Sequence, residues 1–311
     1  MTLPIDKTVF IVNPEAAMGA TLRQWPRIRA LAKDRLGMFR THFTTGPGDA
    51  TFIARESLLD GAKRIICVGG DGTLNEVVNG FMTVDGPVRP EAHLGFIPLG
   101  TGLDFIKSLP IPKEPEKVLD LVAGGYSKRI DLGRIRFEPS DAQPFYRYFH
   151  NITSFGLAGE VVERVNRHSK VFGGFISFIW GTFISILAYQ KKKIHLKVDD
   201  HFDETINAWN VFVANGRYCG GGMCVAPEAT TEDGQFHITI IGDLSLMEVF
   251  RNLPKLYTGN ILRVVKVFPL IGKRVEAGSH DRVPLDVDGE QPGQLPVAID
   301  IIPKTLSIIA A

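Results

Sequence analysis

Gly69-Gly70-Asp71-Gly72-Thr73 brings together residue types that suit the handling of phosphates. Glycines let backbone N–H groups approach an anion that a Cβ would keep away. Ahead of the turn lies the short, β-branched apolar run Arg64-Ile65-Ile66-Cys67-Val68, which reads as a buried strand. Behind it, Leu74, Val77, Val78 and Phe81 are spaced three and four apart as on a helix. A helix starting there places the positive end of its macrodipole behind the glycines. Asp71 is the discordant residue. A carboxylate beside phosphates repels them unless a divalent cation lies between, or unless it takes a proton from the attacking group. The five residues suggest phosphoryl transfer, with an ordinary Asp-Gly turn as the alternative reading.

The neighbouring elements favour the first reading. Asn75 and Glu76 stand in the first helical turn, and a second strand, Leu94-Gly95-Phe96-Ile97-Pro98, runs into Leu99-Gly100-Thr101-Gly102-Leu103-Asp104-Phe105. Two glycine–threonine turns, each with an Asp, closing successive strands would converge at the carboxyl edge of one parallel sheet. Before Asp131, strands alternate with helical segments: Thr8 to Val12, a helix with Leu22, Trp25, Ile28 and Ala32 on one face, Phe39 to Phe43, then a helix from Asp49 with Ile53, Ala54 and Leu58. That is a doubly wound α/β half. After Asp131, alternating runs such as Ile194 to Val198, Asn210 to Val213, Phe236 to Ile240 and Val283 to Asp288 read as antiparallel sheet with one wet face.

Taken in order, the motifs resemble the diacylglycerol kinase-like lipid kinase family, which also holds sphingosine and ceramide kinases and bacterial soluble lipid kinases. They are Asn13-Pro14, Thr44 ahead of Gly46-Pro47-Gly48, the GGDGT turn with Asn75-Glu76, the second glycine turn, Ile130-Asp131-Leu132-Gly133, Asn215-Gly216-Arg217-Tyr218 with Gly220-Gly221-Gly222, Ala226-Pro227 followed by Asp233-Gly234, and Asp288-Gly289-Glu290. The resemblance implies a two-domain lipid kinase with a cleft between an N-terminal α/β domain and a mainly antiparallel β domain. Residues 1–132, completed by a returning last strand at 303–311, would bind nucleotide; residues 133–302 would bind lipid. By position, it implies ATP phosphates on Gly69, Gly70, Asp71, Gly72 and Thr73, with Asn13, Thr44, Asn75, Glu76, Gly100 and Thr101 as further contacts. Mg²⁺ would be held, directly or through water, by Asp71, Asp104 and Asp131, and a second, structural Mg²⁺ by Thr230, Asp233 and Gln235, completed by backbone carbonyls. Glu290 resembles the family's proton acceptor, with Asp288 beside it. Two carboxylates at i and i+2 share one face of a strand, as a base and its orienting partner would need. Without the resemblance, Asp288-Gly289-Glu290 reads as a solvated turn and Asp233 as part of a hairpin turn. One departure stands out: Leu103 occupies the place where the family usually has Asn.

The chain has 311 residues, more than one domain of roughly 100–200 residues requires. With 35 Lys and Arg against 34 Asp and Glu, it lacks the basic excess of a nucleic-acid binder. Three cysteines, Cys67, Cys219 and Cys224, form no paired framework and favour a reducing cytoplasm. Thr8 to Val12 follows Asp6 and Lys7 with no basic-then-apolar leader. Phe172 to Tyr189 is apolar but interrupted by Gly and Ser, and falls short of the roughly 20 apolar residues of a membrane span. Together with Lys191-Lys192-Lys193 it reads either as a core helix with a solvated end or as a membrane contact. The expectation is a cytoplasmic, peripherally membrane-associated enzyme of lipid metabolism and phospholipid biosynthesis, compatible with a homodimer. Two rivals stand beside it. A soluble-metabolite kinase of the NAD kinase sort shares the GGDGT turn, and a catalytically weak nucleotide or lipid binder is encouraged by Leu103. Asp288-Gly289-Glu290 argues against the first; Asp71, Asp104 and Glu290 together argue against the second.

Overall fold

A computed structural model describes residues 7–139, 142–168 and 185–311. The chain divides into two compact units, one comprising Met1–Leu132, Thr231–Asp233 and Ile302–Ala311, the other Gly133–Thr230 and Gly234–Ile301.

In the first unit, β1 (Thr8–Val12), β2 (Arg40–Phe43), β3 (Arg64–Gly69) and β4 (His93–Pro98) form a parallel sheet in the order β2-β1-β3-β4. The chain leaves β1 toward β2 and then returns to its other side at β3. That reversal is the switch point where open α/β sheets bind ligands. Residues Val9 to Val12, Ile65 to Val68, and Leu94, Phe96 and Ile97 are fully buried, as expected of parallel strands covered on both faces. Helix α1 (Ala16–Leu36) packs with α4 (Pro115–Gly124), and α2 (Asp49–Leu59) with α3 (Asp71–Phe81). Ser307 and Ile308, at the end of the last strand, pair in parallel with His93 and Leu94.

The expected face of α1 needs one correction. Thr21, Trp25, Ile28 and Ala32 are buried, whereas Leu22 is exposed. Thr21 continues the four-three-four spacing and Leu22 lies about 100° away from it around the helix. Three left-handed residues, Ala17, Met18 and Gly19, precede the regular part of α1.

The second unit contains an antiparallel sheet and a second antiparallel group of strands. Its first sheet contains β7 (Ile152–Gly156), β10 (Asn210–Ala214), β11 (Phe236–Ile241), β12 (Val267–Gly272) and β14 (Leu285–Val287), in the order β12-β11-β10-β7-β14. Its second group contains β8 (Lys192–Val198), β9 (Phe202–Ala208), β13 (Arg274–Gly278) and the Val297–Asp300 part of β15 (Val297–Ile308). The strands β5 (Lys128–Phe137) and β6 (Phe145–Phe149) pair as an antiparallel hairpin. Phe149, Phe155, Leu196, Val211, Val213, Phe236, Ile238 and Val275 share one apolar core. Two further helices, α5 (Leu157–His168) and α6 (Leu246–Tyr257), belong to this unit.

Of the apolar segment Phe172 to Tyr189, residues up to 184 lie outside the described residues. At its end Ser185, Ile186 and Tyr189 are buried and Leu187 is exposed. Lys191 forms an ion pair with Asp243, and Lys192 and Lys193 are the first residues of β8. The lysine run is thus partly neutralised and partly held in a sheet rather than presented as one free cluster. Among the described residues, no helix is long and apolar enough to cross a membrane.

Candidate active site

The carboxyl ends of β1, β3 and β4 bring the first set of polar residues together. Asn13 follows β1; its N–H donates to Val68 O (3.0 Å), its Oδ1 accepts the Glu15 N–H (3.0 Å), and its Nδ2 donates to Thr73 Oγ1 (2.9 Å). Thr44 follows β2 and donates its N–H to Val12 O (3.0 Å). Gly69 ends β3, and a Cβ there would lie 2.8 Å from Thr73 Oγ1. Leu99 N–H donates to Gly69 O (2.7 Å), and a Cβ on Gly100 would stand 2.8 Å from the Gly70 Cα. The two glycine turns therefore meet backbone to backbone, a contact closed to any larger residue at Gly100.

Helix α3 begins in this contact, with Gly70 at its N-cap and no side-chain cap. Its first amides belong to the orphan donors that every helix start leaves for water, side chains or ligands. Asp71 Oδ2 accepts the Asp104 N–H at 3.0 Å, which places one turn's carboxylate beside the backbone of the other. The Asp104 carboxylate is 8% exposed and lies 2.6 Å from Lys107 Nζ. Lys107 was not singled out from the sequence; its only signal was the i, i+3 spacing from Asp104 on a single turn of 3₁₀ helix.

Three of the residues singled out in this unit have partners within the protein. Asn75 is fully buried, and its Oδ1 accepts from Asn79 Nδ2 at 3.1 Å, within α3. Glu76 accepts the Gly48 N–H (2.9 Å) and the Ala50 N–H (3.1 Å), and so caps α2. Its negative charge sits at the positive end of that helix. Glu76→Ala should destabilise the protein by about 1–2 kcal/mol, the usual worth of a lost helix cap, read as an earlier urea midpoint; an unchanged midpoint would contradict the capping role. Asp131, fully buried, accepts the Lys304 N–H at 2.7 Å and donates its own N–H to Thr231 O at 2.7 Å. Asp71, Asp104 and Asp131 accordingly do not form one three-carboxylate cluster: among the described residues, no group of three His, Cys, Asp or Glu is arranged to hold a metal. Asp71 and Asp104 still fit Mg²⁺, which is commonly held by one or two carboxylates together with phosphate oxygens and water. Thr230 and Asp233 are exposed and Gln235 half-buried, in the turn before β11. Among the side chains of this segment's three residues, Asp233 supplies the carboxylate.

Leu103 has φ 51°. A left-handed leucine is strained by about 1–2 kcal/mol, and Asn is the non-glycine residue that visits this region most readily. The family's Asn thus has a backbone reason at this position, besides any polar contact. Leu103→Asn should raise the thermal midpoint and leave ATP affinity unchanged or a few-fold tighter, since a net hydrogen bond adds about 0.5–1.5 kcal/mol. Loss of ATP binding in a folded Leu103→Asn protein would contradict the placing of nucleotide at this turn.

The second unit builds a different constellation around Asp288-Gly289-Glu290. The expected strand with Asp288 and Glu290 on one face is not what forms. Strand β14 ends at Val287, Asp288 (φ 49°) and Gly289 (φ 90°) are both left-handed, and Val287 and Glu290 exchange both backbone hydrogen bonds (2.8 and 3.0 Å). This is a two-residue hairpin with Asp-Gly at its centre, where both residues must take positive φ. Asp288 turns inward. Its carboxylate accepts the N–H groups of His150 (3.0 Å), Asn151 (3.2 Å) and Ile152 (2.9 Å), and lies 2.8 Å from His150 Nδ1. Burial works against the ionised carboxylate, but His150 and these amides outweigh it and hold the Asp288 pKa below the usual range. Asp286 accepts the Gly289 N–H (2.8 Å); burial pushes its pKa up to about 7. Glu290 is exposed at the end of the turn.

The histidine partner was missed because His150 and Asp288 stand far apart in sequence and no spacing links them. The Asn215 motif supports the same place from beneath. Asn215 Nδ2 donates to His150 O (2.8 Å), and Asn151 Nδ2 to Tyr218 O (2.8 Å). Asp288 is therefore an anchor for the hairpin that carries Glu290, not a second carboxylate facing the same way.

Comparison with known proteins bears on both units. Residues 7–135 match the diacylglycerol kinase catalytic domain, and residues 151–310 match the YegS C-terminal NAD kinase beta sandwich-like domain. A diacylglycerol kinase of Bacillus subtilis (strain 168) is 31% identical over 258 residues, covering 82% of this chain and 80% of its own. Among solved structures, a diacylglycerol kinase from Bacillus anthracis str. Sterne superposes with a TM-score of 0.73 at 20% identity, covering 98% of this chain and 97% of that one. An NAD kinase from Archaeoglobus fulgidus in complex with ATP shares the fold at a TM-score of 0.52 and 13% identity, covering 97% of this chain and 93% of its own. With the two glycine turns, the Asp71–Asp104 contact and the Asp288-anchored hairpin in hand, these matches establish that the chain belongs to the diacylglycerol kinase family of lipid kinases.

Proposed function

We propose that the protein is an ATP-dependent lipid kinase that transfers the γ-phosphate to a free hydroxyl of diacylglycerol or a related lipid. The observation that carries this reading is the backbone-to-backbone meeting of the two glycine turns, with Asp71 and Asp104 beside them. Backbone amides of Gly70, Asp71, Gly72 and Thr73 take the phosphates, and Asn13 holds Thr73 in place for them. Gly100 and Thr101 close the second side, with Thr44 at the end of β2 as a further contact. Asp71 and Asp104 would hold Mg²⁺, which would supply positive charge against the negative charge that builds up on the transferring group. Lys107 shares Asp104 and adds a second positive charge.

Glu290 accepts the proton of the lipid hydroxyl as the hydroxyl oxygen bonds to the γ-phosphorus and the bond from that phosphorus to the ADP oxygen breaks. The roles of Asp288 and His150 are positional: they fix the hairpin from which Glu290 projects. Any structural cation at Thr230, Asp233 and Gln235 is outside the chemistry. A substrate of this kind lives in a bilayer, so contact with a membrane surface is part of the proposal. The product would be a phosphorylated lipid available to phospholipid synthesis.

The NAD kinase alternative draws on the shared fold. The two separate in one experiment: incubation with γ-labelled ATP, Mg²⁺ and either a mixed lipid panel or NAD. Label in the organic phase supports the lipid kinase; label on NAD with none on lipid would overturn it.

A further inference from the structure

Helix α1 and the edge strand β2 leave an open groove of about 660 Å³ between them, a size within the roughly 300–1,000 Å³ of small-molecule sites. It forms because α1 packs with α4 and touches β3, toward the middle of the sheet, while β2 is the last strand at its edge. One face of β2 is therefore only partly covered. The Phe10 ring lies 5.6 Å from the Trp25 ring and 4.6 Å from that of Phe39, and the Trp25 ring meets Phe43 edge-on at 6.1 Å. These contacts bring Trp25, Phe39 and Phe43 into one apolar floor. Phe43 remains 43% exposed, and Met38, which lines the same groove, 66%.

The helical wall adds charge. Trp25, Arg29 and Lys33 recur every four residues and line the groove along about 12 Å of α1. The facing wall, Phe39 to Phe43, is about 13 Å of strand. Trp25 stands at its Phe43 end, and Lys33, whose O accepts the Gly37 N–H (3.1 Å), at its Met38 end. That end is the amino end of β2, opposite the carboxyl ends where the glycine turns lie. Arg29 and Lys33 are exposed, and among the described residues the ion pairs of α1 use Arg27 with Glu116 and Arg35 with Asp120. Asp34 lies about 100° around the helix from Lys33.

An aromatic floor beside two uncompensated cations suits a ligand with an apolar chain and an anionic head. A neutral lipid would leave the cations without a partner, and a bare phosphate would leave the floor in water. The apolar centre of a protein interface is depleted in lysine. We propose that the groove between α1 and β2 is a binding site for an anionic amphiphile, its chain on Trp25, Phe39 and Phe43 and its phosphate or carboxylate head on Arg29 and Lys33. Such a site goes beyond the kinase reading and does not depend on it; beside a lipid kinase centre, it would distinguish a phosphorylated lipid from its neutral precursor.

The test titrates the full chain with octyl phosphate, octanol or inorganic phosphate, each kept below any micelle formation. Methionine methyl groups labelled with carbon-13 are followed by NMR, and Met38→Leu assigns the Met38 signal. Octyl phosphate should shift that signal and bind at least about tenfold more tightly than octanol, which lacks the charge-assisted bonds, or phosphate, which lacks the buried chain. Its affinity should fall as salt is added. Arg29→Gln with Lys33→Gln, both at exposed positions, should weaken it about tenfold or more, with the circular dichroism spectrum and the turnover on a water-soluble diacylglycerol unchanged. An unmoved Met38 signal would overturn the proposal. Equal affinity for octanol or for phosphate, undiminished binding by the folded double variant, or sedimentation showing the groove closed between two copies of the chain would overturn it as well.

Discussion

Asp71→Asn should lower turnover by about a hundredfold or more while the protein stays folded. A hundredfold corresponds to about 2.7 kcal/mol of transition-state stabilisation, within the several kcal/mol that a metal-organised phosphate site supplies. The amide oxygen of Asn can still accept the Asp104 N–H, which Asp71 Oδ2 accepts at 3.0 Å, so the meeting of the two turns survives. The loss of a negative charge from the first turn of α3 costs only about 0.3–1 kcal/mol in stability. Circular dichroism and the urea midpoint therefore stay near wild type, and the effect appears in the transfer rate and in Mg²⁺ dependence. Asp104→Asn makes an informative companion, because Lys107 already shares that carboxylate at 2.6 Å. Near-native turnover in a folded Asp71→Asn protein would remove Asp71 from the chemistry.

Glu290→Gln should affect the reaction differently. The substitution keeps the size and removes the basicity, so turnover should fall by about 10²–10⁴-fold, the range of general acid–base catalysis. The hairpin persists, because Val287 and Glu290 pair through their backbones and Asp288 anchors the turn through three backbone amides. Mg²⁺–ATP affinity, measured by calorimetric titration, should remain that of the wild type. Intact turnover with weakened nucleotide binding would make Glu290 a metal ligand or a turn residue, and Asp71 the leading candidate for the base. Asp288→Asn is expected to act more broadly: with His150 beside it and three amides relying on it, loss of charge there loosens the hairpin and lowers stability together with turnover.

The α/β half could be read from its residues because its signals are local. Strands buried on both faces leave unbroken apolar runs such as Ile65 to Val68, and a glycine turn before a helical period announces a phosphate-type loop. What escaped the sequence depends on contacts between distant segments. Asn75 and Glu76 sit beside the glycine turn in sequence, but helical geometry sends Asn75 into the core and Glu76 to the start of α2. Asp131 carries no local sign that its partner is the backbone of Lys304. The pairing of His150 with Asp288 links two strands whose adjacency only the folded sheet defines.

The hairpin at Glu290 bears on two readings of the same few residues. Asp-Gly does mark a turn, with both residues at positive φ, as the plain reading of the sequence has it. It is also the turn that the resemblance assigns to catalysis, with the burial of Asp288 leaving Glu290 at the exposed end. Alternation along a strand, the argument for two cooperating carboxylates, fails there because β14 stops at Val287.

The most direct test of the central claim is the stoichiometry of transfer. The wild-type protein is incubated with ATP, Mg²⁺ and diacylglycerol, ADP is quantified, and the extracted lipid is analysed by mass spectrometry for an added phosphate on its free hydroxyl. The account predicts one phosphorylated lipid for each ADP formed, with ADP production falling to background when the lipid is omitted. ADP formed at the same rate without lipid, and no phosphate gained by any lipid offered, would contradict it.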